Sequence, residues 1–129
     1  MKIKCLIVED AAFMREVYKF NLQKETSIEI VAEAVDGMDA MIKINQHKPD
    51  LIILDLVLPL KSGIDVLKEM ARISPQSKCI VISSIDDPKI ISKALALGAI
   101  QYLTKPFTKA DLLKAIEEVS RTYGEVFNG

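Results

Sequence analysis

Five short apolar runs, separated by longer amphipathic segments, dominate the pattern of this sequence. Several of the runs are nearly continuous rather than alternating, which is typical of strands that are buried on both faces of a parallel sheet. A chain with such strands needs helices on both sides of the sheet to cover them. The runs span Ile3–Val8, Ile28–Val35, Leu51–Leu54, Cys79–Ile82 and Ile100–Leu103.

The segments between and after these runs have the spacing of amphipathic helices. Each segment carries apolar residues three or four positions apart, which places them on one face of a helix. Five strands that alternate with five helices predict an α/β fold, a doubly wound sandwich around a parallel sheet. The predicted buried stripes are Met14, Val17, Tyr18 and Leu22; Met38, Met41, Ile42 and Ile44; Ile64, Leu67, Met70 and Ala71; Ile91, Ala94 and Leu95; and Leu112, Leu113, Ile116 and Val119.

Local signals mark the ends of the last two helices. Asp87 followed by Pro88 is typical of a helix start, with a capping carboxylate before a proline at the first helical position. Gly98 is placed to end that helix. Thr108 and Asp111 have the spacing of a capping box, which predicts that the last helix begins at this point.

Length and charge limit the classes of protein that the chain can belong to. A chain of 129 residues, half of them hydrophobic, suits a single domain with a substantial core. A net charge of −1 argues against nucleic-acid binding, which needs a basic surface. No apolar run approaches the roughly 20 residues of a membrane span, and the first residues do not resemble a signal peptide. We therefore expect one cytoplasmic domain that binds neither nucleic acid nor membrane.

Polar side chains follow four of the five predicted strands, at the point where each strand ends. Glu9 and Asp10 follow the first strand, Asp55 the third, Ser83 the fourth and Lys105 the fifth. In an open parallel sheet, ligands bind beyond the carboxyl ends of the strands. The sequence therefore predicts that these side chains converge on one site.

This set of side chains restricts the chemistry of the predicted site. Three carboxylates held together repel one another, so their pKa values rise unless a cation joins them. A site with oxygen ligands suits Mg²⁺, or alternatively Mn²⁺, whereas zinc prefers nitrogen and sulfur. A lysine and a serine suit an anion such as a phosphoryl group. The combination fits phosphoryl transfer onto Asp55, with the metal neutralising charge.

The ordered set of these segments resembles the receiver domain of two-component response regulators. The likeness covers essentially the whole chain and implies a receiver domain over residues 1–123, a short C-terminal tail over 124–129 and no output domain. It also implies the strand order 2-1-3-4-5. Residues 11–15, Tyr102 and the expected lack of an output domain most resemble the stand-alone chemotaxis regulators of that family. The segments that carry the likeness are Glu9-Asp10, Asp55 to Pro59, Ser62-Gly63, Ser83 and Lys105-Pro106-Phe107.

The resemblance implies a role for each residue of the acidic group. Asp55 accepts a phosphoryl group from a histidine kinase of the chemotaxis type. Asp10 and Asp55 bind Mg²⁺ directly, Glu9 binds it through water, and Val57 binds it through its backbone carbonyl. The protein is then a phosphoacceptor that assists its own phosphorylation and dephosphorylation, rather than an enzyme with a separate substrate.

The resemblance also implies how a signal would leave the site. Ser83 and Lys105 contact the phosphoryl group, and the Lys105–Pro106 peptide bond is cis. As Ser83 moves toward the phosphoryl group, Tyr102 swings inward to fill the vacated space; the alternative is a tyrosine packed permanently at the sheet edge. The face formed by the fourth helix, the fifth strand and the last helix then binds a downstream protein, such as a motor switch or an output protein. The chain itself is expected to be a monomer.

Three departures from the family pattern bear on the chemistry. Glu9 stands where an aspartate is usual, which is a mild change if it reaches the ion through water. Val57 and Ile85 are apolar where the chemotaxis regulators of this family carry polar residues.

The implied strand order places one strand between those of Cys5 and Cys79. The two cysteines are then about 9–10 Å apart, which is too far for a disulfide.

The sequence is also compatible with alternatives to a stand-alone switch. The chain could be a receiver taken from a multidomain transcriptional regulator, or an intermediate of a phosphorelay. A haloacid-dehalogenase-like phosphatase also uses an aspartate nucleophile and Mg²⁺, but it usually carries a second aspartate two positions later, where this chain has Val57. A flavodoxin-like binder without phosphoryl chemistry would leave the acidic pair and Lys105 unexplained.

Overall fold

The computed structural model describes residues 2–24 and 27–128 and contains one sheet of five parallel strands. The strand order is β2-β1-β3-β4-β5, which confirms the order implied by the family resemblance. Each sequence-predicted run forms a strand, with boundaries that differ by one or two residues at most. The strands are β1 (Ile3–Val8), β2 (Ile28–Ala34), β3 (Leu51–Leu54), β4 (Lys78–Ser83) and β5 (Gln101–Thr104).

Helices cover both faces of this sheet, as the doubly wound prediction requires. Residues of α1 and α5 pack in one buried cluster, and residues of α2, α3 and α4 pack in the other. The backbone of residues 124–128, which were predicted as a tail, continues α5, and Gly129 lies outside the described residues. The helices are α1 (Ala12–Leu22), α2 (Gly37–His47), α3 (Gly63–Ile73), α4 (Pro88–Ala96) and α5 (Lys109–Asn128).

Alternate residues of β1 enter the two opposite core clusters, so the strand is buried on both faces. Cys5 and Ile7 face α1 and α5, whereas Leu6 and Val8 face the other three helices, and all four are fully buried. Cys79 on β4 belongs to the cluster opposite to that of Cys5. Both cysteines are free, which confirms that they form no disulfide.

The predicted helix signals are present in the structure. The Asp87 carboxylate accepts a hydrogen bond from the Lys89 amide at 2.9 Å, at the start of α4. Thr108 and Asp111 form the reciprocal capping box at 3.1 and 3.0 Å. Gly98 has a φ of +114° just beyond the end of α4, in the region that favours glycine.

Half of the predicted buried stripe of α2 is wrong. Ile44 is fully buried and Met41 packs against the core, as predicted. Met38 and Ile42 are 52% and 63% exposed, and the helix buries Gly37 and Ala40 in their place. The small residues allow α2 to approach the loop between β3 and α3 closely. A Cβ atom at Gly37 would lie 1.9 Å from the carbonyl oxygen of Lys61.

Two other helices depart from their predicted stripes in the same way. In α3, Ala71 is exposed and Val66 is buried in its place. In α4, Leu95 is 45% exposed and only Ala94 is fully buried. Across residues 2–24 and 27–128, no helix combines the length and the apolar character that crossing a membrane would require.

Candidate functional site

The carboxyl ends of the strands bring the predicted site residues together, because backbone hydrogen bonds continue the sheet beyond the strands. The Asp55 amide donates to the Val8 carbonyl at 3.1 Å, which fixes the end of β3 beside the end of β1. The Lys105 amide donates to the Ser83 carbonyl at 2.9 Å, which fixes the end of β5 beside that of β4. The convergence predicted from the strand ends is therefore present.

Lys105 bridges two carboxylates at the centre of the site. Its Nζ lies 2.5 Å from Glu9 Oε1 and 2.8 Å from Asp55 Oδ2. Glu9 is fully buried and Asp55 is 6% exposed, so both charges are largely removed from water. Such buried carboxylates need a cation partner, and the ammonium group of Lys105 supplies one.

The environment shifts the pKa values of this ion pair. Burial raises the pKa of Glu9, the Lys105 hydrogen bond opposes that shift, and the neighbouring Asp55 carboxylate adds to it. Burial alone would lower the pKa of Lys105, but its hydrogen bonds to Asp55 and Glu9 outweigh burial and raise it. Lys105 therefore stays protonated and positively charged between the two carboxylates.

A third carboxylate, that of Asp10, completes an acidic cluster that opens to solvent. One carboxylate oxygen from each of Glu9, Asp10 and Asp55 lies within 4.8 Å of the others, and Asp10 is exposed. Oxygen ligands on a partly open site are what Mg²⁺ prefers, because it retains several waters. The donor set therefore fits a divalent cation of this kind.

Backbone contacts orient the Asp55 carboxylate. Its Oδ1 accepts a hydrogen bond from the Val57 amide at 2.9 Å, while Oδ2 accepts from Lys105. The start of α3 packs against the backbone of Asp55 and Leu56, and the Gly63 amide donates to the Leu56 carbonyl at 3.0 Å. The carboxylate is thus held by two donors, one on each oxygen.

Ser83 and Tyr102 are joined through the backbone of Ile85. The buried Ser83 hydroxyl accepts from the Ile85 amide at 3.3 Å, and the Tyr102 hydroxyl donates to the Ile85 carbonyl at 2.6 Å. The Tyr102 ring is half-buried against the core on the α4 side of the sheet. Burial raises the pKa of Tyr102, so its hydroxyl stays protonated and can donate the hydrogen bond to the Ile85 carbonyl.

Sequence reasoning missed two α1 residues beside the site. Arg15 donates from Nη1 to the carbonyl oxygens of Glu9 and Asp10, at 2.8 and 3.1 Å. Tyr18 was predicted only as core, and its ring stacks on Phe107 with centroids 5.9 Å apart. Its buried hydroxyl has no hydrogen-bond partner within the described part of the chain. Arg15 belongs to the segment 11–15 that resembles the chemotaxis regulators, but no sequence signal assigns it these backbone contacts.

Comparison with known proteins assigns the family. The family described as "Response regulator receiver domain" matches residues 5–117, so the chain belongs to the response regulator receiver family. Over 118 residues it is 36% identical to the chemotaxis protein CheY of Thermotoga maritima, covering 92% of this chain and 98% of that protein.

Solved structures agree with this assignment. The receiver domain of AraT, a response regulator from Geobacillus stearothermophilus, has a TM-score of 0.89 at 29% identity, with 97% of this chain and 98% of that chain covered. A chain in the CheX–CheY–BeF3–Mg²⁺ complex from Borrelia burgdorferi has a TM-score of 0.86 at 27% identity, with 91% of this chain and 88% of that chain covered.

Membership in this family defines the general activity of the chain. Receiver domains are phosphoacceptor switches that bind Mg²⁺ at an acidic pocket, take phosphoryl groups from histidine kinases and act on downstream targets. The chain is therefore a phosphorylation-activated switch of a two-component system, similar to CheY. The cis Lys105–Pro106 peptide bond expected from the resemblance is also present.

Proposed function

We propose that Asp55 accepts a phosphoryl group from a histidine kinase of the chemotaxis type. In this proposal Asp10 and Asp55 hold Mg²⁺ directly, Glu9 holds it through water and Val57 through its backbone carbonyl. The single observation that carries the proposal is the position of Lys105, whose ammonium group bridges Asp55 and Glu9 inside the acidic cluster.

The transfer exchanges one bond to phosphorus for another. A carboxylate oxygen of Asp55 forms the new O–P bond as the N–P bond of the donor's phosphohistidine breaks, and the histidine nitrogen keeps the electron pair of that bond. When bound, Mg²⁺ neutralises the charge that the phosphoryl oxygens bring to the carboxylates. Lys105 then pairs with a phosphoryl oxygen, and the Ser83 hydroxyl donates a hydrogen bond to another.

The first prediction tests the acceptor. Wild-type protein incubated with a small phosphodonor and Mg²⁺ should gain one phosphoryl group by intact mass, and excess chelator should prevent this. Asp55→Asn should gain none, because the amide nitrogen and carbonyl of asparagine are poor nucleophiles. Asp86→Asn, which changes an exposed carboxylate after β4, is the matched control and should be labelled like wild type. Equal labelling of Asp55→Asn would contradict the proposal.

The same site carries a proposed conformational signal. Ser83 and Tyr102 both bind the backbone of Ile85, so a Ser83 hydroxyl drawn toward the phosphoryl group would release the Ile85 amide. We infer that phosphorylation thereby favours the half-buried position of Tyr102 and reshapes the face of α4, β5 and α5. Two exposed apolar residues, Leu95 on α4 and Ile100 just before β5, lie on or next to these elements and support their use in binding a downstream protein.

A second prediction tests this signal. Addition of beryllofluoride and Mg²⁺ should shift amide resonances across α4, β5 and α5, because the mimic stabilises one arrangement of Tyr102. Tyr102→Phe, which removes the bond to the Ile85 carbonyl, should reduce those shifts severalfold while the shifts around Asp55 persist. Identical shifts in Tyr102→Phe and wild type would place the switch elsewhere.

The proposal places the chain in the cytoplasm as a monomer that contacts other proteins. Two observations support the cytoplasmic location and the protein partners. Cys5 and Cys79 are free thiols, as is usual in a reducing compartment. The net charge of −1 lacks the basic excess that nucleic-acid binding usually needs, which favours protein partners.

A further inference from the structure

The turn that carries Glu9 and Asp10 lacks a capping side chain. It connects β1 to α1, and the residue at the N-cap position of α1 is Ala11, which has no side-chain oxygen. The carboxylate of Glu9 accepts from the Ala11 amide at 3.4 Å, which is longer than a normal hydrogen bond. The N-cap side chain therefore contributes nothing to fixing this turn.

Arg15, one helical turn further along α1, binds the backbone of this turn. Its Nη1 binds both carbonyl oxygens of the turn, those of Glu9 and Asp10, at 2.8 and 3.1 Å. Its Nε lies 3.3 Å from Glu33 Oε1 on β2, and the Arg15 side chain is only 18% exposed. The planar guanidinium thus joins the acidic turn to the edge strand in one fixed orientation.

Glu33, the partner of Arg15 on β2, is itself held by two lysines. The other carboxylate oxygen of Glu33 lies 3.2 Å from Lys19 Nζ, and the Glu33 carbonyl accepts from Lys43 Nζ at 2.5 Å. Glu33 is therefore held from α1 and from α2 at once. A carboxylate held in this way can position the guanidinium rather than follow it.

We propose that Arg15 is a positioning residue for the metal site, an inference that rests on the proposed function. The direction of the Glu9 and Asp10 side chains depends on the backbone of the turn, and Arg15 holds the two carbonyls of that backbone. Asp10 is exposed, so contacts with neighbouring side chains constrain it little. Without Arg15 the Asp10 carboxylate spreads over several orientations, and ordering it on metal binding costs affinity.

The charge of Arg15 and its positioning of the turn predict opposite effects on Mg²⁺ affinity when the side chain is replaced. The guanidinium is a cation close to a site for a divalent cation, and Coulomb repulsion between them weakens metal binding. If charge alone mattered, Arg15→Gln would bind Mg²⁺ more tightly than wild type. Positioning predicts that the same variant binds Mg²⁺ more weakly, so the direction of the change separates the two effects.

The experiment is a titration with Mg²⁺ alone, with no phosphodonor present. The chain has no tryptophan, so binding is followed by the NMR shifts of the backbone amides at Glu9, Asp10 and Val57. We expect Arg15→Gln to raise the Kd for Mg²⁺ about tenfold, as is typical when a group that orients a metal ligand is lost. Arg15→Lys keeps the charge but loses the planar guanidinium group that binds both carbonyls. Its Kd for Mg²⁺ should lie between those of wild type and Arg15→Gln.

Lys24→Gln is the matched control. It removes the same charge just beyond the end of the same helix, and its ammonium group lies over the Phe20 ring rather than at Glu33 or the acidic turn. Its Kd for Mg²⁺ should equal or fall slightly below that of wild type. Equal weakening by Lys24→Gln and Arg15→Gln would overturn the inference, as would an Arg15→Gln Kd at or below the wild-type value.

Two further outcomes keep the proposals separate. If thermal unfolding shows that Arg15→Gln does not fold, Arg15→Lys decides the question, and a wild-type Kd in that variant overturns the inference. If wild-type protein itself shows no Mg²⁺-dependent shifts at these amides, the proposed metal site fails instead. Failure of the inference and failure of the proposed function thus give different results.

Discussion

Gly63→Ala should destabilise the protein by more than about 3 kcal/mol, beyond the usual cost of an overpacked site. A Cβ atom at this position would lie 2.4 Å from the Asp55 carbonyl oxygen and 2.5 Å from the Leu56 Cα. Both are backbone atoms, so no flexible side chain can yield to make room. The free energy of unfolding from urea titration, with an unchanged m value, measures the effect.

Gly98→Ala is the control that separates the steric cost of a new Cβ atom from the cost of backbone strain. Gly98 has a φ of +114°, but within the described residues nothing lies within 4 Å of its ideal Cβ. Its substitution should therefore cost only the backbone strain of about 1–3 kcal/mol. If Gly63→Ala proved no more destabilising than Gly98→Ala, the close packing of α3 against the phosphoacceptor strand would not be a constraint on stability.

The strands were predictable because burial on both faces leaves a strong sequence signal. The predicted bounds of β1 and β3 match the structure. Every residue of β3 and all but one residue of β1 are buried. The edge strand β5 is only partly buried and was predicted one residue too early. Ile100, the residue wrongly included, is 39% exposed, so apolar character does not mark the start of an edge strand.

The buried faces of the helices were less predictable than the strands. A pattern of large apolar residues does not show where a close contact between segments requires small residues. In α2 the buried face is built on Gly37 and Ala40, which a hydrophobic pattern scores weakly, while Met38 and Ile42 project to solvent. Only the position of the loop at Lys61 shows why small residues are needed there. Such a contact joins segments that are distant in sequence and leaves no periodic signal.

The convergence of the site was predictable, but its internal contacts were not. Strand-end residues of a parallel sheet must meet at one edge, which brings Glu9, Asp55 and Lys105 together. That Lys105 spans both carboxylates depends on side-chain reach and burial. The role of Arg15 is hidden further, because it binds backbone carbonyls, which every residue possesses.

The phosphorylated protein should lose its phosphoryl group slowly, and polar residues beside Asp55 should accelerate that loss. Water must reach phospho-Asp55 past Val57, whose amide binds the Asp55 carboxylate, and past Ile85, whose amide binds Ser83. Neither apolar side chain can orient or deprotonate a water molecule. The Val57→Asn/Ile85→Glu double variant should dephosphorylate at least about tenfold faster, which is a modest share of the usual effect of acid–base assistance.

The measurement is the decay of the phosphorylated mass after the donor is removed, with Mg²⁺ held constant. A Val57→Ala/Ile85→Ala double variant opens the approach to Asp55 without adding a polar group, and it is the matched control. If apolar bulk is the barrier, the alanine variant should accelerate decay as much as the polar one. If water lacks a group to orient it, only the polar variant should accelerate decay. Decay at the wild-type rate in both variants would show that Val57 and Ile85 do not limit access of water to the acyl phosphate.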